Sequence, residues 1–261
     1  MNILVCVKIV SQATFSDSLS DSNERLSGGK LGINPADAYA LELALRIKDK
    51  EKGTMVTVLT MAPPYVEKSL RDAIAAGADE AVMICDNRAA GSDTLATSKI
   101  IAAAIKKLPK QDLILCGKKA IDSETGHIGP QLKVLLDMPL LTNVTSFSLN
   151  QGSVTANCAR DGFSAEYSGP LPAILTVCNG TEMVRTPTIM GLRRSKNAVI
   201  KQFALDELEI DTDQVGLEGS PTRTVSVETI SFRRGKKNLC SDAESGSKKL
   251  MELLKGGESD G

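Results

Sequence analysis

The sequence predicts an α/β fold built on a mostly parallel sheet. Three observations carry that prediction. Short apolar runs alternate with helical patterns, the most polar loop follows one such run and opens into a helix, and the first residues read as a buried strand. Strands alternating with helices imply βαβ units and a helix-covered sheet.

Taken in order, residues 3–10 form the first strand. Residues 11–33 are a long insertion rich in Ser and Asp, a kind of connection that is functional or mobile. A helix over 35–50 has Asn34 as N-cap and Pro35 at its first position, followed by Leu41, Leu43, Ala44, Leu45 and Ile47. A strand over 55–59 and a helix over 64–76 come next, the helix stopping at Gly77. The strand at 81–84 precedes a helix over 93–108, capped by Asp93, with Ile100, Ile101, Ala104, Ile105 and Leu108 at helical spacing. The strand at 112–116 breaks at Gly117 into a polar loop, and a helix follows from about 130 to 137. Short β runs at 142–149, 153–158 and 173–178 either form an extra sheet or extend the main one. Beyond about Lys196 the pattern fades until a short helix at 247–254 and a tail, 256–261, expected to be disordered. A tail that cannot bury its own core lies on another surface, which implies a partner subunit.

Composition excludes several functions. Net charge is −1 with acids and bases mixed, which argues against nucleic acid or an anionic membrane surface as partner. Trp is absent, weakening any single-strand stacking platform. No stretch approaches the ~18 to 20 apolar residues of a membrane span. The start lacks the features of a signal peptide, so a cytoplasmic protein is expected. The six cysteines show no CxxC pairing and read as free thiols, most within apolar runs. With one histidine in the chain, neither a His-based metal site nor a Ser-His-Asp triad is supported, and catalysis would need a cofactor.

In open α/β sheets ligands sit beyond the carboxyl ends of strands, where a loop opens into a helix. The loop from Gly117 has backbone N–H groups, Ser123, Thr125 and Lys118 to offer a nucleotide's phosphates. The Ser27-Gly28-Gly29-Lys30 run follows no strand and opens no helix, so it reads as a turn. Capping accounts for Asn34 and Pro35, and the 91–98 segment is a helix start whose Thr94 and Thr97 need only be solvated. That start nevertheless falls on the same sheet edge as the Gly117 loop. His127 is either a structural donor or a cofactor contact. The clusters Arg193, Arg194, Lys196 and 233–237 read as solvated faces.

Taken together, these residues resemble the β subunit of electron transfer flavoprotein over nearly the whole chain. The matching stretches are 3–8 (ILVCVK), 33–37 (INPAD) with 44–48 (ALRIK), 75–80 (AAGADE), 117–122 (GKKAID) and 187–192 (PTIMGL). The resemblance implies an adenine nucleotide α-hydrolase-like, Rossmann-like domain over 1–200. It also implies a C-terminal arm over 201–261 that packs on an α subunit carrying its own FAD.

The family has two branches. In ordinary members this subunit holds structural AMP and no redox centre. In the bifurcating branch it binds a second FAD, takes hydride from NADH, and sends electrons to the α-subunit FAD and to a low-potential acceptor such as ferredoxin or flavodoxin. Segments 91–98, 125–130 and 216–222 look like the second branch, which serves a flavin dehydrogenase such as an acyl-CoA dehydrogenase. Carried over by position, the nucleotide contacts are Cys6, Lys8, Asn34, Pro35, Ala36, Asp37 and Met61. From the loop they are Gly117, Lys118, Lys119, Ala120, Ile121, Asp122, Ser123, Glu124, Thr125, Gly126, His127 and Ile128. Asp93, Thr94 and Thr97 are the branch-specific positions, and Thr186, Pro187, Ile189 and Met190 lie on the partner-docking loop.

No protein acid or base is implied, because hydride chemistry belongs to the flavin. The chain departs from the family in three places. Ser11 and Gln12 replace a Pro-Asp turn, His127 stands where Gln is usual, and Thr186 occupies the position of a docking Leu. A self-contained ATP- or AMP-binding module is the remaining alternative, against which the arm-like C-terminus argues.

Overall fold

The computed structural model describes residues 1–11, 31–180, 183–226, 240 and 242–256. Among the described residues nine strands form the main sheet, in the order β11-β5-β4-β1-β6-β10-β7-β8-β9. In chain order they are β1 (Asn2–Cys6), β4 (Met55–Met61), β5 (Glu80–Ile84), β6 (Leu113–Gly117), β7 (Leu140–Asn150), β8 (Ser153–Arg160), β9 (Phe163–Pro170), β10 (Ala173–Val177) and β11 (Lys201–Phe203). Short strands β2 (Ile9–Ser11) and β3 (Leu31–Ile33) pair separately. The helices are α1 (Pro35–Lys50), α2 (Glu67–Ala76), α3 (Thr94–Lys107), α4 (Ile128–Leu136), α5 (Ile189–Lys196) and α6 (Ala243–Gly256).

The central strands are apolar without alternation because both faces are covered. One face carries Ile3, Val5, Val56, Val58 and Leu115 against Leu41, Leu45, Leu70 and Ile74 of α1 and α2. The other carries Leu4, Cys6, Leu59, Ile114 and Cys116 against Ile100, Ile105 and Leu132 of α3 and α4. From β1 the chain builds outward through β4 and β5, then returns to lay β6 on the opposite side of β1, with β10 beyond. The sheet therefore reverses between β1 and β6, which opens a crevice at their carboxyl ends.

The structure alters several expected elements. The strand expected over 3–10 ends at Cys6 because the Lys8 amide turns to the Asp37 carboxylate at 2.8 Å. Both ends of the expected 11–33 insertion are structured, Ile9 pairing with Ile33; its Ser27–Lys30 turn lies outside the described residues. The β runs after residue 140 extend the main sheet, and β9 joins them. That strand escapes sequence reading because it is mostly exposed and polar.

Residues from 201 onward also begin inside the sheet, β11 pairing parallel to β5. The first compact unit runs through Thr224, beyond the expected boundary at 200. The second unit is Val225–Gly261, in which α6 exposes Leu250, Met251, Leu253 and Leu254. The basic cluster 233–237 and the tail beyond 256 lie outside the described residues.

Candidate functional site

The crevice is closed on one side by the first turn of α1. Asp37 accepts the Lys8 amide at 2.8 Å and the Gly117 amide at 2.9 Å, tying the ends of β1 and β6 together. Burial drives its carboxyl up to about 6, against the lowering effect of those two amides. Gly117 is the residue that permits this approach: a Cβ there would lie 2.2 Å from Asp37 Oδ1 and 2.7 Å from Ala36 Cβ.

Asn34 corrects a sequence expectation. It stands at the N-cap position, yet its side chain makes no capping bond to α1. Instead it is fully buried and crosses to the loop after β6, donating to the Lys119 carbonyl at 3.1 Å and accepting from the Ile121 amide at 3.1 Å. Lys8 reaches the same loop through Asp122 at 2.6 Å, and Lys119 pairs with Glu124 at 2.9 Å. Glu124 and Gly126 both adopt positive φ, so the chain turns tightly before α4. The loop is thus shaped by residues that the strand–helix order brings to one edge.

On the other side two helix starts converge. Thr94 Oγ1, at the first position of α3, lies 3.2 Å from His127 Nδ1, the residue before α4. One turn deeper, Ser98 Oγ donates to Gln131 Oε1 at 2.7 Å, while Gln131 Nε2 stands 3.5 Å from Thr94 Oγ1. The N-terminus of α4 has no side-chain cap among the described residues. Its leading amides are therefore among the unclaimed donors that suit an anion. Thr97 sits half-buried one turn along from Thr94.

Asp93 has a different surrounding. Its Oδ1 caps the amides of Leu95 and Ala96, while Oδ2 accepts the Thr222 amide and hydroxyl at 3.1 and 2.9 Å. Burial pushes its carboxyl up, but these four donors outweigh burial and hold it below the usual range.

Cys6 and Cys116 are register partners on the α3-facing side of the sheet, both buried, with half-buried Met61 packed against the same core. The adjacent Cys6 side chain and burial push the Cys116 thiol well up, so it stays protonated. Toward β7 and β10 the loop borders a cavity of about 270 Å³, lined by Lys118, Thr125, Asn143 and Thr176 among others. A larger cavity of about 630 Å³ lies at the amino ends of the strands, by Met1 and Asp112, where this fold class does not place ligands.

The edge therefore gathers Cys6, Lys8, Asn34 to Asp37, Met61, Thr94 and the 117–128 loop. Sequence reading missed Ser98 and Gln131 and, inside the singled-out 216–222 segment, gave Ser220 and Thr222 no individual role. The first two had a signal: Thr94 with Ser98 and His127 with Gln131 are polar i, i+4 pairs on two helices.

The expected docking residues lie elsewhere, on a segment held against α1 and α2. Arg185 binds Glu42 at 2.8 Å and Asp49 at 2.8 Å. Burial pushes the Glu42 carboxyl up, but hydrogen bonds from Arg185 and Arg46 win and hold it low. Behind it, α5 and α2 cap one another. Arg194 donates to the Ile74 and Ala78 carbonyls at 2.7 and 3.0 Å, and Arg71 donates to Ser195 at 2.6 Å. Arg194 is exposed, as expected of a solvated face, and also clamps α5 to the end of α2. Thr186 and Pro187 are exposed, and Ile189 and Met190 are 85% and 74% exposed beside Met183 at 87%. Among the described residues, no helix is long and apolar enough to cross a membrane, and no three His, Cys, Asp or Glu side chains group to hold a metal.

Comparison with known proteins agrees with this fold. The family profile described as electron transfer flavoprotein domain matches residues 27–208. The chain is 35% identical to an electron transfer flavoprotein subunit beta of Thermoanaerobacterium thermosaccharolyticum, over 97% of this chain and 98% of the relative. It is 35% identical to the caffeyl-CoA reductase-Etf complex subunit CarD of Acetobacterium woodii, over 85% and 86% of the two chains. It is also 37% identical to the acryloyl-CoA reductase electron transfer subunit gamma of Anaerotignum propionicum, again over 85% and 86%.

Proposed function

The chain belongs to the electron transfer flavoprotein β subunit family, and on that premise we propose that it binds FAD in the β1/β6 crevice and oxidises NADH. In this reading it works with an α subunit that carries a second FAD. One electron of each pair goes to that flavin and the other to a low-potential acceptor such as ferredoxin or flavodoxin. The observation that carries the reading is the convergence of two helix starts at Thr94 and His127. Each helix N-terminus presents roughly half a positive charge. The α4 start, which has no side-chain cap, suits one phosphate together with Lys118, and at the α3 start, whose amides Asp93 already holds, the Thr94 hydroxyl suits a second.

The residues fit the ligand in other ways. Asn34 and Asp37 fix the strand ends and the first half of the loop, and the backbone amides of 125–128 follow at the start of α4. Thr94 and Thr97 supply hydroxyls for the polar linker of a dinucleotide. Cys6 and Met61 supply apolar contact, and Cys116, kept protonated, puts no charge beneath it. When bound, the flavin supplies both hydride acceptance and single-electron transfer. The protein's share is binding, orientation and exclusion of water.

The exposed Ile189, Met190 and Met183 support docking of a flavin dehydrogenase, with acyl-CoA dehydrogenases the expected class. Relatives named for caffeyl-CoA and acryloyl-CoA reduction agree with that class. The deciding experiment is the nucleotide content of the co-expressed heterodimer after denaturing extraction. Two FAD and no AMP per heterodimer are expected. One FAD with one AMP would make this chain a structural half of an ordinary carrier.

A further inference from the structure

Segment 215–222 is fastened to the start of α3 by a continuous set of bonds. The Gly216 amide donates to Ser92 Oγ at 2.9 Å, and Ser220 Oγ accepts the Asp93 amide at 2.8 Å while donating to the Gly216 carbonyl at 2.5 Å. Thr222 closes the set through its amide and hydroxyl on Asp93 Oδ2. Ser220 is buried. Gly216 has φ +68°, and a Cβ on it would lie 2.2 Å from the Arg88 carbonyl oxygen, so the segment seats in one way.

Asp93 is thereby shared. One oxygen caps the helix whose next residue, Thr94, meets His127, and the other holds Thr222. The first turn of α3 stands between the loop that borders the crevice and this clasp. A shift of it moves Thr94 relative to His127, and such positional errors are costly at binding sites.

We propose that Asp93, Ser220 and Thr222 are positioning residues for the nucleotide. In this arrangement clasp closure and nucleotide occupancy favour each other. The inference rests on an adenine nucleotide lying at the α3 start, as in the proposed function. Because binding linkage is reciprocal, whatever the clasp adds to nucleotide affinity the nucleotide returns to clasp closure.

The test uses the heterodimer co-expressed with its α subunit and dialysed free of loosely held nucleotide. Trypsin cleavage after Arg223, next to the clasp, is followed by mass spectrometry, and FAD and AMP affinities are measured by equilibrium dialysis. Filling the site should slow that cleavage. Thr222→Val should speed it and weaken nucleotide binding by about tenfold each, the low end for one hydrogen bond to a charged carboxylate, and Thr222→Ser should restore both. Asp93→Asn keeps an N-capping oxygen but sets its amide against the Thr222 N–H, so it should match Thr222→Val at unchanged helix content.

Faster cleavage with unchanged affinity, or bound nucleotide with no protection, would overturn the clasp. Protection by AMP and not FAD would leave the clasp standing and defeat the FAD reading. Binding of neither nucleotide would defeat both.

Discussion

Asp37 Oδ1 lies 2.9 Å from the amide nitrogen of Gly117, eighty residues away in the chain. That bond, with its twin to Lys8, closes the point where the sheet reverses. The folded-state carboxyl stands near 6 against 3.8 in the ordinary state. A raised carboxyl contributes stability that is full below the unfolded value and lost as pH climbs through the folded one. The unfolding free energy of the natural chain, relative to Asp37→Asn, should therefore fall by about 2 kcal/mol between pH 4 and pH 6.5. Urea unfolding of both across that range checks it, and parallel curves would refute it.

Gly117→Ala should damage the same junction sterically. Its Cβ would meet both Asp37 Oδ1 and Ala36 Cβ below contact distance, so a loss of roughly 1–3 kcal/mol is expected from overpacking. Nucleotide retention should fall with it. Thermal unfolding and bound nucleotide measured on one preparation would separate the two effects.

Thr94→Val combined with Thr97→Val should weaken FAD retention in this subunit and spare the α-subunit flavin. The β-branched replacement keeps shape and removes hydroxyls. Loss of one or two hydrogen bonds corresponds to about 1–3 kcal/mol of binding. Unchanged flavin content in the heterodimer would count against the assignment.

Ile189→Asp and Met190→Asp concern a surface rather than the core. Both side chains are exposed, so melting temperature should hold while electron delivery to the partner dehydrogenase drops at least tenfold. Arg185→Ala should act differently. It strips buried Glu42 of a partner, costing roughly 1–3 kcal/mol, and should raise hydrogen exchange across 183–190. If the aspartates leave delivery intact, docking lies elsewhere.

Deleting residues 225–261 removes the second unit and should leave the sheet unit folded, since all its strands end before that point. Heterodimer formation should loosen on size exclusion. A deletion that began at 205 would also take away the clasp on Asp93, and it should lose nucleotide as well.

Much of the scaffold was legible because its signals are local. Residues 35–50 carry Pro at the first position and an apolar stripe, and α1 spans those residues. Asp93 precedes a helical pattern, and it caps α3. The 117–128 loop stood out because hydroxyls, glycine and charge follow an apolar strand. By contrast, β9 and β11 are too exposed or too short to register, and α5 is a polar helix stabilised by Arg71 and Arg194 rather than by an apolar stripe.

The sequence by itself determined the alternation of strands and helices and the strand after which the polar loop opens into a helix, because period and capping are properties of neighbouring residues. Only the tertiary structure decided what Asn34, Asp37 and Asp93 hold. Each has a local explanation as a helix-start residue. Yet Asn34 reaches Lys119 and Ile121, Asp37 reaches Gly117, and Asp93 reaches Thr222. A side chain's choice between capping its own helix and satisfying a distant amide depends on which amides packing leaves unpaired, and only the folded chain sets that.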